Sequence, residues 1–162
     1  MSILLDPNKS FISIKFYYIE EQTKHGVNIF HFIKTKEDFE EWKNKGYQTK
    51  SNDIKDESNA KIIKEIDTWW KRISWKDQNI IYSRSFKQIS NSEGKLINDI
   101  DVIKFRDLKL RTCLKKWSLT DENKNNIDVN DEMIDMLDPR VAEEFLSSFE
   151  KLTEATEEEK KD

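Results

Sequence analysis

The sequence predicts an α+β fold, in which an N-terminal β-hairpin packs on a mainly helical domain. Apolar residues alternate in two runs near the N-terminus, whereas most later apolar residues recur at three- and four-residue spacing. Tight turns are scarce, because the 162 residues include only three glycines and two prolines. A sandwich or barrel of many short strands needs more such turns, so the composition favours helices.

The composition predicts one domain, residues 1–152, that folds without a metal or a disulfide. Apolar residues make up 36% of the chain, aromatic residues 11%, and the net charge is only −4, which is compatible with a folded core. The single cysteine, Cys113, excludes an intramolecular disulfide and is expected to be a small buried residue in a reducing compartment. No apolar run approaches the ~18 residues of a membrane span, and residues 1–10 do not resemble a secretion signal. We therefore expect a soluble protein.

Residues 11–33 are predicted to form the hairpin. Residues 11–19 alternate apolar and polar side chains, and a second β-rich run follows at 27–33. The connection contains Gly26, which can adopt a positive φ. A two-stranded hairpin is only marginally stable by itself, so we expect this one to pack on the helices or to pair with another chain.

A short helix and a polar loop are predicted next. Thr35 and Asp38 have the spacing of a capping box, and Gly46 can close the helix in the left-handed conformation. Residues 48–59 are polar and have no apolar period. They are predicted to form an exposed, mobile loop.

The helical body is predicted to span residues 60–152. Apolar residues from Ala60 to Ile73 have helical spacing, which predicts an amphipathic helix. Ser74 repeats the capping pattern and predicts a second helix from Trp75 to about Ile89. A third predicted helix has an exposed basic side. That side consists of Lys104, Arg106, Lys109, Arg111, Lys115 and Lys116.

The C-terminal part is predicted to contain a small hairpin and two capped helices. Short alternating runs at 117–119 and 127–129 could pair as the hairpin. Asn130 is expected to cap a short helix, and Asp138, followed by proline, to cap the last one. Residues 153–162 are mostly charged, with an acidic excess, and are predicted to form a disordered tail.

Residues 68–82 hold three of the five tryptophans and are the main candidate site. Two helices meeting there would bring the three rings together in an aromatic corner. We interpret this corner as core, with a protein interface as one alternative and a stacking platform for single-stranded nucleic acid as another. The candidate partner-binding residues are Trp69, Trp70, Trp75, Arg72 and Tyr82.

The sequence contains one candidate metal site, a calcium-binding loop. Asp121, Asn123, Asn125 and Glu132 occupy positions 1, 3, 5 and 12 of an EF-hand-type loop. Asn126 stands where such a loop needs glycine, and a plain polar hairpin loop with Asn126 at positive φ accounts for the same residues.

The sequence predicts a non-enzymatic protein without a cofactor. His25 lies in a predicted turn and His31 in a predicted strand, which gives little support to a histidine base or a two-histidine metal site. The chain has neither a Gly-x-Ser-x-Gly elbow nor a glycine-rich phosphate loop. Its nearly neutral body is not typical of proteins that bind duplex DNA.

The region 107–141 contains several residues that are typical of the starts and ends of helices. Residues 107–122 are predicted to form a helix that ends in a tryptophan and is followed by a turn with Asp and Asn. Residues 127–134 contain two apolar residues followed by a capped helix. In residues 137–141 a proline begins the last helix. Together with residues 4–9 ahead of the first strand, this pattern resembles small proteins from the structural gene blocks of tailed bacteriophages and prophages, among them tail assembly chaperone-like proteins. The chain departs from the pattern at Asn126, where such turns usually have glycine, and in its tryptophan-containing insertion.

The resemblance implies a non-enzymatic role in virion assembly, in the tail or at the head–tail junction, either chaperone-like or structural. Other phage structural proteins, or further copies of the chain, are then the expected partners. The expected location is the cytoplasm of a bacterial host, or the virion itself. The alternative that the residues leave open is a single-stranded nucleic-acid-binding or regulatory module that uses the Trp/Lys-rich stretch and the basic side of residues 104–116.

Overall fold

A computed structural model describes residues 5–6, 11–49 and 61–154 of the chain. In chain order the elements are β1 (Phe11–Gln22), β2 (Asn28–Ile33), α1 (Lys36–Asn44), β3 (Gln48–Thr49), β4 (Ile62–Lys71), α2 (Trp75–Arg84), β5 (Phe86–Ser90), β6 (Leu96–Ile100), α3 (Val102–Cys113), β7 (Leu114–Trp117), α4 (Asp131–Asp135) and α5 (Pro139–Thr153). Of the described residues, 38% are helical and 34% lie in strands. The α+β class is therefore confirmed, but the body is not mainly helical.

The larger sheet is built around β1 and β4. Its strands follow the order β2-β1-β4-β3, and β7 also pairs with β4. β1 is antiparallel to β2, from Tyr17 opposite Ile33 to Gln22 opposite Asn28, so the predicted hairpin is confirmed. β1 is also antiparallel to β4 along eight residue pairs, from Phe11 opposite Lys71 to Tyr18 opposite Lys64. Gln48 and Thr49, predicted to begin a mobile loop, form β3 and pair with β4; residues 50–59 lie outside the described part.

The prediction of a helix from Ala60 to Ile73 is wrong, because residues 62–71 form the strand β4. Successive side chains of a strand point to opposite faces of the sheet. Both faces of β4 are covered: Ile63 belongs to one buried cluster, while Ile66 and Trp70 belong to another. A strand that is apolar on both faces loses its alternation, and its isoleucines and tryptophans then match helical spacing by coincidence.

Two apolar clusters stabilise the sheet. The larger cluster lies between the sheet and helices α3, α4 and α5; its buried members are Phe16, Ile66, Trp70, Leu110, Cys113, Leu114, Trp117, Ile134, Val141, Phe145, Leu146 and Phe149. The smaller cluster joins Ile19, Ile33 and Ile63 beneath α1, with Phe39 and Trp42 packed against it. The two faces of the sheet therefore have separate cores.

Four of the predicted helix starts are confirmed by their caps. Thr35 and Ser74 form complete capping boxes at the starts of α1 and α2, and Asn130 and Asp138 cap α4 and α5. Two predicted helix ends are wrong. α2 stops at Arg84 and leads into the β5–β6 hairpin, so it does not reach Ile89. α3 stops at Cys113, and residues 114–117 pair with β4.

The small C-terminal hairpin is present as a short turn. The Ile127 amide donates to the Leu119 carbonyl, and Thr120 forms a β-bridge with Asn126. Lys124, rather than Asn126, has the positive φ, at 63°. At the other end of α5, Thr153 is still helical, so the predicted tail does not begin there; residues 155–162 lie outside the described part.

Candidate functional site

Trp70 is a core residue. Its side chain is fully buried, and its ring stacks on Phe149 with centroids 4.6 Å apart. The indole Nε1 donates to Thr68 Oγ1 at 2.7 Å, and that hydroxyl donates to the Ile14 carbonyl at 2.9 Å. The prediction of Trp70 as a partner-binding residue is wrong, because its ring is buried against Phe149 and its indole N–H is hydrogen-bonded to Thr68.

The predicted aromatic corner does not form, because β4 separates the rings. Trp69 follows the strand alternation and lies on the face opposite Trp70, half-buried, with the Lys116 ammonium 4.8 Å from its ring centroid. Trp75 is the first residue of α2 and is 76% exposed. Of the three tryptophans, Trp75 is the one available at the surface to a large partner.

Arg72 and Tyr82 line a cavity of about 690 Å³ between the end of β4, helices α2 and α3, and the C-terminal end of α5. We call it the α2–α3 cavity. Its apolar lining comes from Leu5, Ile12, Ile73, Ile81, Phe105 and Leu152. A lining that combines these side chains with Arg72 and Tyr82 resembles protein pockets that receive an apolar group and orient it with a few polar contacts.

Lys109 supplies a buried charge to one wall of this cavity. Its side chain is only 5% exposed, and its ammonium lies 2.9 Å from Glu154 Oε1 and 3.6 Å from Glu150 Oε2. The two carboxylates balance the positive charge of this ammonium, as a buried charge requires. By contrast, Arg72 is exposed and has no hydrogen-bond or ion-pair partner within the described residues, so its guanidinium is available to a ligand in the cavity.

Trp75 stands on the same side of α2 as the cavity. Gln78 and Tyr82, which line the cavity, follow Trp75 by three and seven residues and therefore share its helix face. Of the five candidate partner-binding residues, the structure thus brings three to one surface: Arg72, Tyr82 and Trp75.

The predicted exposed basic side of α3 is largely neutralised. Arg106 donates two hydrogen bonds to Glu143, at 2.8 and 2.9 Å, and a third to Glu150. Arg111 contacts Asp107, Asp131 and Asp135. Hydrogen bonds that Arg106 donates to Glu143 raise the pKa of Arg106, and those that Arg111 donates to Asp135 raise the pKa of Arg111. α3 therefore does not present a stripe of free cations to a phosphate backbone.

The β5–β6 hairpin is a second candidate surface, and the sequence reasoning missed it. We call residues 86–100 the β-arm. Leu96 is 70% exposed and Phe86 53%, and no residue of the β-arm belongs to either buried cluster. The sequence carries a signal for it, because residues 91–94 contain a glycine and separate two runs with β-forming residues.

His31 and Cys113 make contacts within the fold, whereas His25 is exposed. His31 Nε2 lies 3.3 Å from Glu21 Oε2, and its ring lies 5.2 Å from Trp42, while His25 is exposed in the β1–β2 turn. Cys113 is fully buried in the larger cluster, and this burial raises the pKa of its thiol to about 12. A thiol with that pKa is a poor nucleophile at neutral pH.

The calcium candidate lies in a turn that is closed by its own hydrogen bonds. Asp121 Oδ1 accepts from the Asn123 and Asn125 amides at 2.8 and 2.9 Å, and the Asp121 amide donates to the Asn125 carbonyl. Glu132 lies in α4. Across residues 5–6, 11–49 and 61–154, no group of three or more His, Cys, Asp or Glu side chains could hold a metal ion. Calcium binding by these residues stays a prediction.

Comparisons with known proteins give no family assignment: neither a protein-family model, nor a curated protein, nor a solved structure matches this chain. Within the described residues, none of the helices combines the length and apolar character that a membrane crossing requires.

Proposed function

We propose that this chain is a non-enzymatic assembly protein of a tailed bacteriophage or prophage. It acts through protein–protein contacts in building the tail or the head–tail junction, either as a chaperone or as a structural component. Two lines of reasoning support this. One is the resemblance of residues 107–141 to proteins of phage structural gene blocks. The other, which carries the proposal, is the exposed Trp75 beside an apolar cavity.

An exposed tryptophan at such a place is typical of a binding anchor. Tryptophan and arginine are enriched among the residues that dominate binding energy, and both occur here, as Trp75 and Arg72. The α2–α3 cavity offers room for an apolar side chain of a partner, while Arg72, which no described residue pairs with, complements a carboxylate beside it. The partner segment that fits this surface best therefore carries a large apolar residue next to an acidic one.

The proposed place of action is the cytoplasm of the bacterial host, where virion proteins are made and assembled. The protein then either leaves the finished particle or remains in it. The candidate partners are the structural proteins encoded beside it.

Co-purification and light scattering test this function. The chain is mixed with each neighbouring structural protein, and the mass of the eluting species is measured. We expect a stable complex whose affinity falls about 30-fold in Trp75→Ala, which corresponds to a hot-spot contribution of about 2 kcal/mol. Met136→Ala is the matched control, because Met136 is 73% exposed and does not line the cavity.

Failure has two recognisable forms. If none of the neighbouring structural proteins binds the wild-type chain, the assembly role is contradicted. If a complex forms and Trp75→Ala weakens it no more than Met136→Ala does, the assembly role stands but the α2–α3 cavity is not the binding surface.

A second candidate function is binding of single-stranded nucleic acid, which is favoured by Trp75 standing between Arg72 and Lys76. Titration with an oligonucleotide at low salt should then quench tryptophan fluorescence, with a steep salt dependence that Trp75→Ala removes. Because Trp70 is buried and Trp69 lies on another face, Trp75 is the tryptophan of this stretch that is expected to respond. No quenching at low salt eliminates this function.

A further inference from the structure

The β-arm ends in an unpaired strand edge. β6 pairs with β5 on one side, from Phe86 opposite Ile100 to Ser90 opposite Leu96, and no other strand of the described structure pairs with it. The Ile100 amide instead donates to the side chain of the preceding residue, Asp99, at 2.8 Å. Two-stranded hairpins are marginally stable in water, and exposed edges readily accept another strand.

The register of the hairpin determines which backbone groups face outward. The Asp101 amide donates to the Ser85 carbonyl at 2.6 Å, and the Asn91 amide donates to the Lys95 carbonyl at 2.9 Å. Hydrogen-bonded pairs alternate with non-hydrogen-bonded pairs in an antiparallel ladder, so the odd-numbered residues of β6 bond to β5. The amide and carbonyl groups of Leu96, Asn98 and Ile100 therefore point away from the hairpin.

We propose that β6 pairs antiparallel with β6 of a second copy of this chain, about a two-fold axis at Ile97, to form a four-stranded sheet. In this register Leu96 lies opposite Asn98 of the second copy. Both residues have outward-pointing backbone groups, as a hydrogen-bonded pair requires. The two Ile97 residues face each other in a non-hydrogen-bonded pair.

The side chains of β6 complement each other in this register. Ile97 already lies opposite Ile89 within the hairpin, so the new sheet has a continuous apolar row of four isoleucines across its strands. Lys95 lies opposite Asp99 of the second copy, and Asp99 already lies opposite Lys87 in its own hairpin. The neighbouring rows therefore alternate positive and negative charges.

Other pairings of the β-arm lack this match. A two-fold axis at Asn98 keeps the backbone parity but places Ile97 opposite Asp99 of the second copy. Axes on β5 give no cross-strand ion pair, and an axis at Lys87 places two lysines opposite each other. The β6 edge with its axis at Ile97 is the pairing in which hydrogen bonds, charge and apolar contacts agree.

This self-association uses residues outside the α2–α3 cavity and does not depend on the proposed function. The two surfaces can be tested separately with the full chain.

Sedimentation or light scattering on the full chain measures the association. We expect a concentration-dependent species of about twice the 19.4 kDa chain mass. Asn98→Pro removes an outward-facing amide of β6 and should weaken the dimer at least tenfold. Gln88→Pro is the matched control, because Gln88 lies directly across the hairpin from Asn98 and its amide faces outward on the other edge. A wild-type monomer at the highest soluble concentration overturns the proposal, and so does equal weakening by both prolines.

A cysteine scan tests the register. Residues in a non-hydrogen-bonded antiparallel pair have Cα atoms about 4.5 Å apart, which is within the range for a disulfide. Under mild oxidation Ile97→Cys should form a disulfide-linked dimer, whereas Asn98→Cys and Ile89→Cys should not. The native Cys113 is fully buried and is not expected to interfere. Faster cross-linking of Asn98→Cys than of Ile97→Cys overturns the proposed axis.

A charge exchange tests the ion pairs. Lys95→Asp alone and Asp99→Lys alone each place like charges opposite each other at two symmetric positions and should reduce dimer formation. A mixture of the two variants restores opposite charges at both positions and should form the heterodimer. A mixture that associates no better than either variant alone overturns the pairing.

Discussion

The protein contains two antiparallel hairpins that differ in what covers them. Both have a loop glycine at φ 78°, Gly26 in the first and Gly94 in the second. The β1–β2 hairpin is continued into a larger sheet by β4, and Ile19 and Ile33 are buried in the smaller cluster. Among residues 5–6, 11–49 and 61–154, no third strand pairs with the β-arm, and no residue of the β-arm belongs to a buried cluster. Alternating apolar residues and a glycine turn are enough to form a hairpin. Elements distant in sequence determine whether its edge strands are paired and its apolar side chains are buried within the same chain.

The largest expected effect contrasts two phenylalanines. Phe149 is fully buried and stacks on Trp70, whereas Phe86, at the base of the β-arm, is 53% exposed. Phe149→Ala should lower the free energy of unfolding by about 3–5 kcal/mol, and Phe86→Ala should change it by less than about 0.5 kcal/mol. Urea denaturation at low protein concentration measures both. A large loss for Phe86→Ala under these conditions would mean that the β-arm is part of the monomer core.

A smaller effect should come from the buried hydrogen bonds of Thr68 in β4. Thr68→Val keeps the shape of the side chain but removes the oxygen that accepts from Trp70 Nε1. The indole N–H is then buried without a partner, which costs about 1–3 kcal/mol of unfolding free energy. Thr153→Val is the control, because the hydroxyl of Thr153 bonds to a backbone carbonyl at the exposed end of α5. Equal effects of the two substitutions would contradict this role of Thr68.

The smallest expected effect concerns helix α2, from whose end the β-arm projects. Burial of Asp77 opposes its ionisation, but hydrogen bonds from Lys71 and Ser74 outweigh this and lower the pKa of the carboxyl below its ordinary value of 3.8. A lowered folded-state pKa contributes stability above the unfolded-state value, and that contribution is lost as the pH falls through the folded-state value.

Asp77→Asn should therefore reduce the unfolding free energy at neutral pH by about 1 kcal/mol, as expected for a damaged helix start, and flatten its decline below about pH 4. Denaturation series at several pH values test this. Asp121→Asn, in the exposed C-terminal turn, is the control for the change of charge. An unchanged slope below about pH 4 in Asp77→Asn would show that the carboxylate is not stabilised in the folded state.

The helix starts were predictable from the sequence because a cap is a local structure. Thr35, Ser74, Asn130 and Asp138 each bind an amide only two or three residues further on, and all four appear in the structure as predicted. The first hairpin was predictable for a similar reason. Its strands are neighbours in the chain, and its exposed and buried faces remain partly distinct.

The central strand β4 was not predictable from periodicity, because its neighbours are distant in sequence. Ile63 and Ile66 lie on opposite faces, and each face is covered by elements from other parts of the chain. The same error made the prediction of an aromatic corner wrong. A helix at residues 60–73 would bring Trp69, Trp70 and Trp75 together, whereas the strand buries Trp70 and turns Trp69 to the other face, and Trp75 in α2 is exposed.

Amide hydrogen exchange at two protein concentrations compares the two hairpins most directly. We expect peptides from β1 and β4 to be equally protected at both concentrations, because their partners are within the chain. Peptides that contain Leu96, Asn98 and Ile100 should exchange rapidly in dilute protein and become protected in concentrated protein. Protection of these peptides that does not depend on concentration, or rapid exchange at both concentrations, would contradict the conclusion that the β-arm is completed by a second chain.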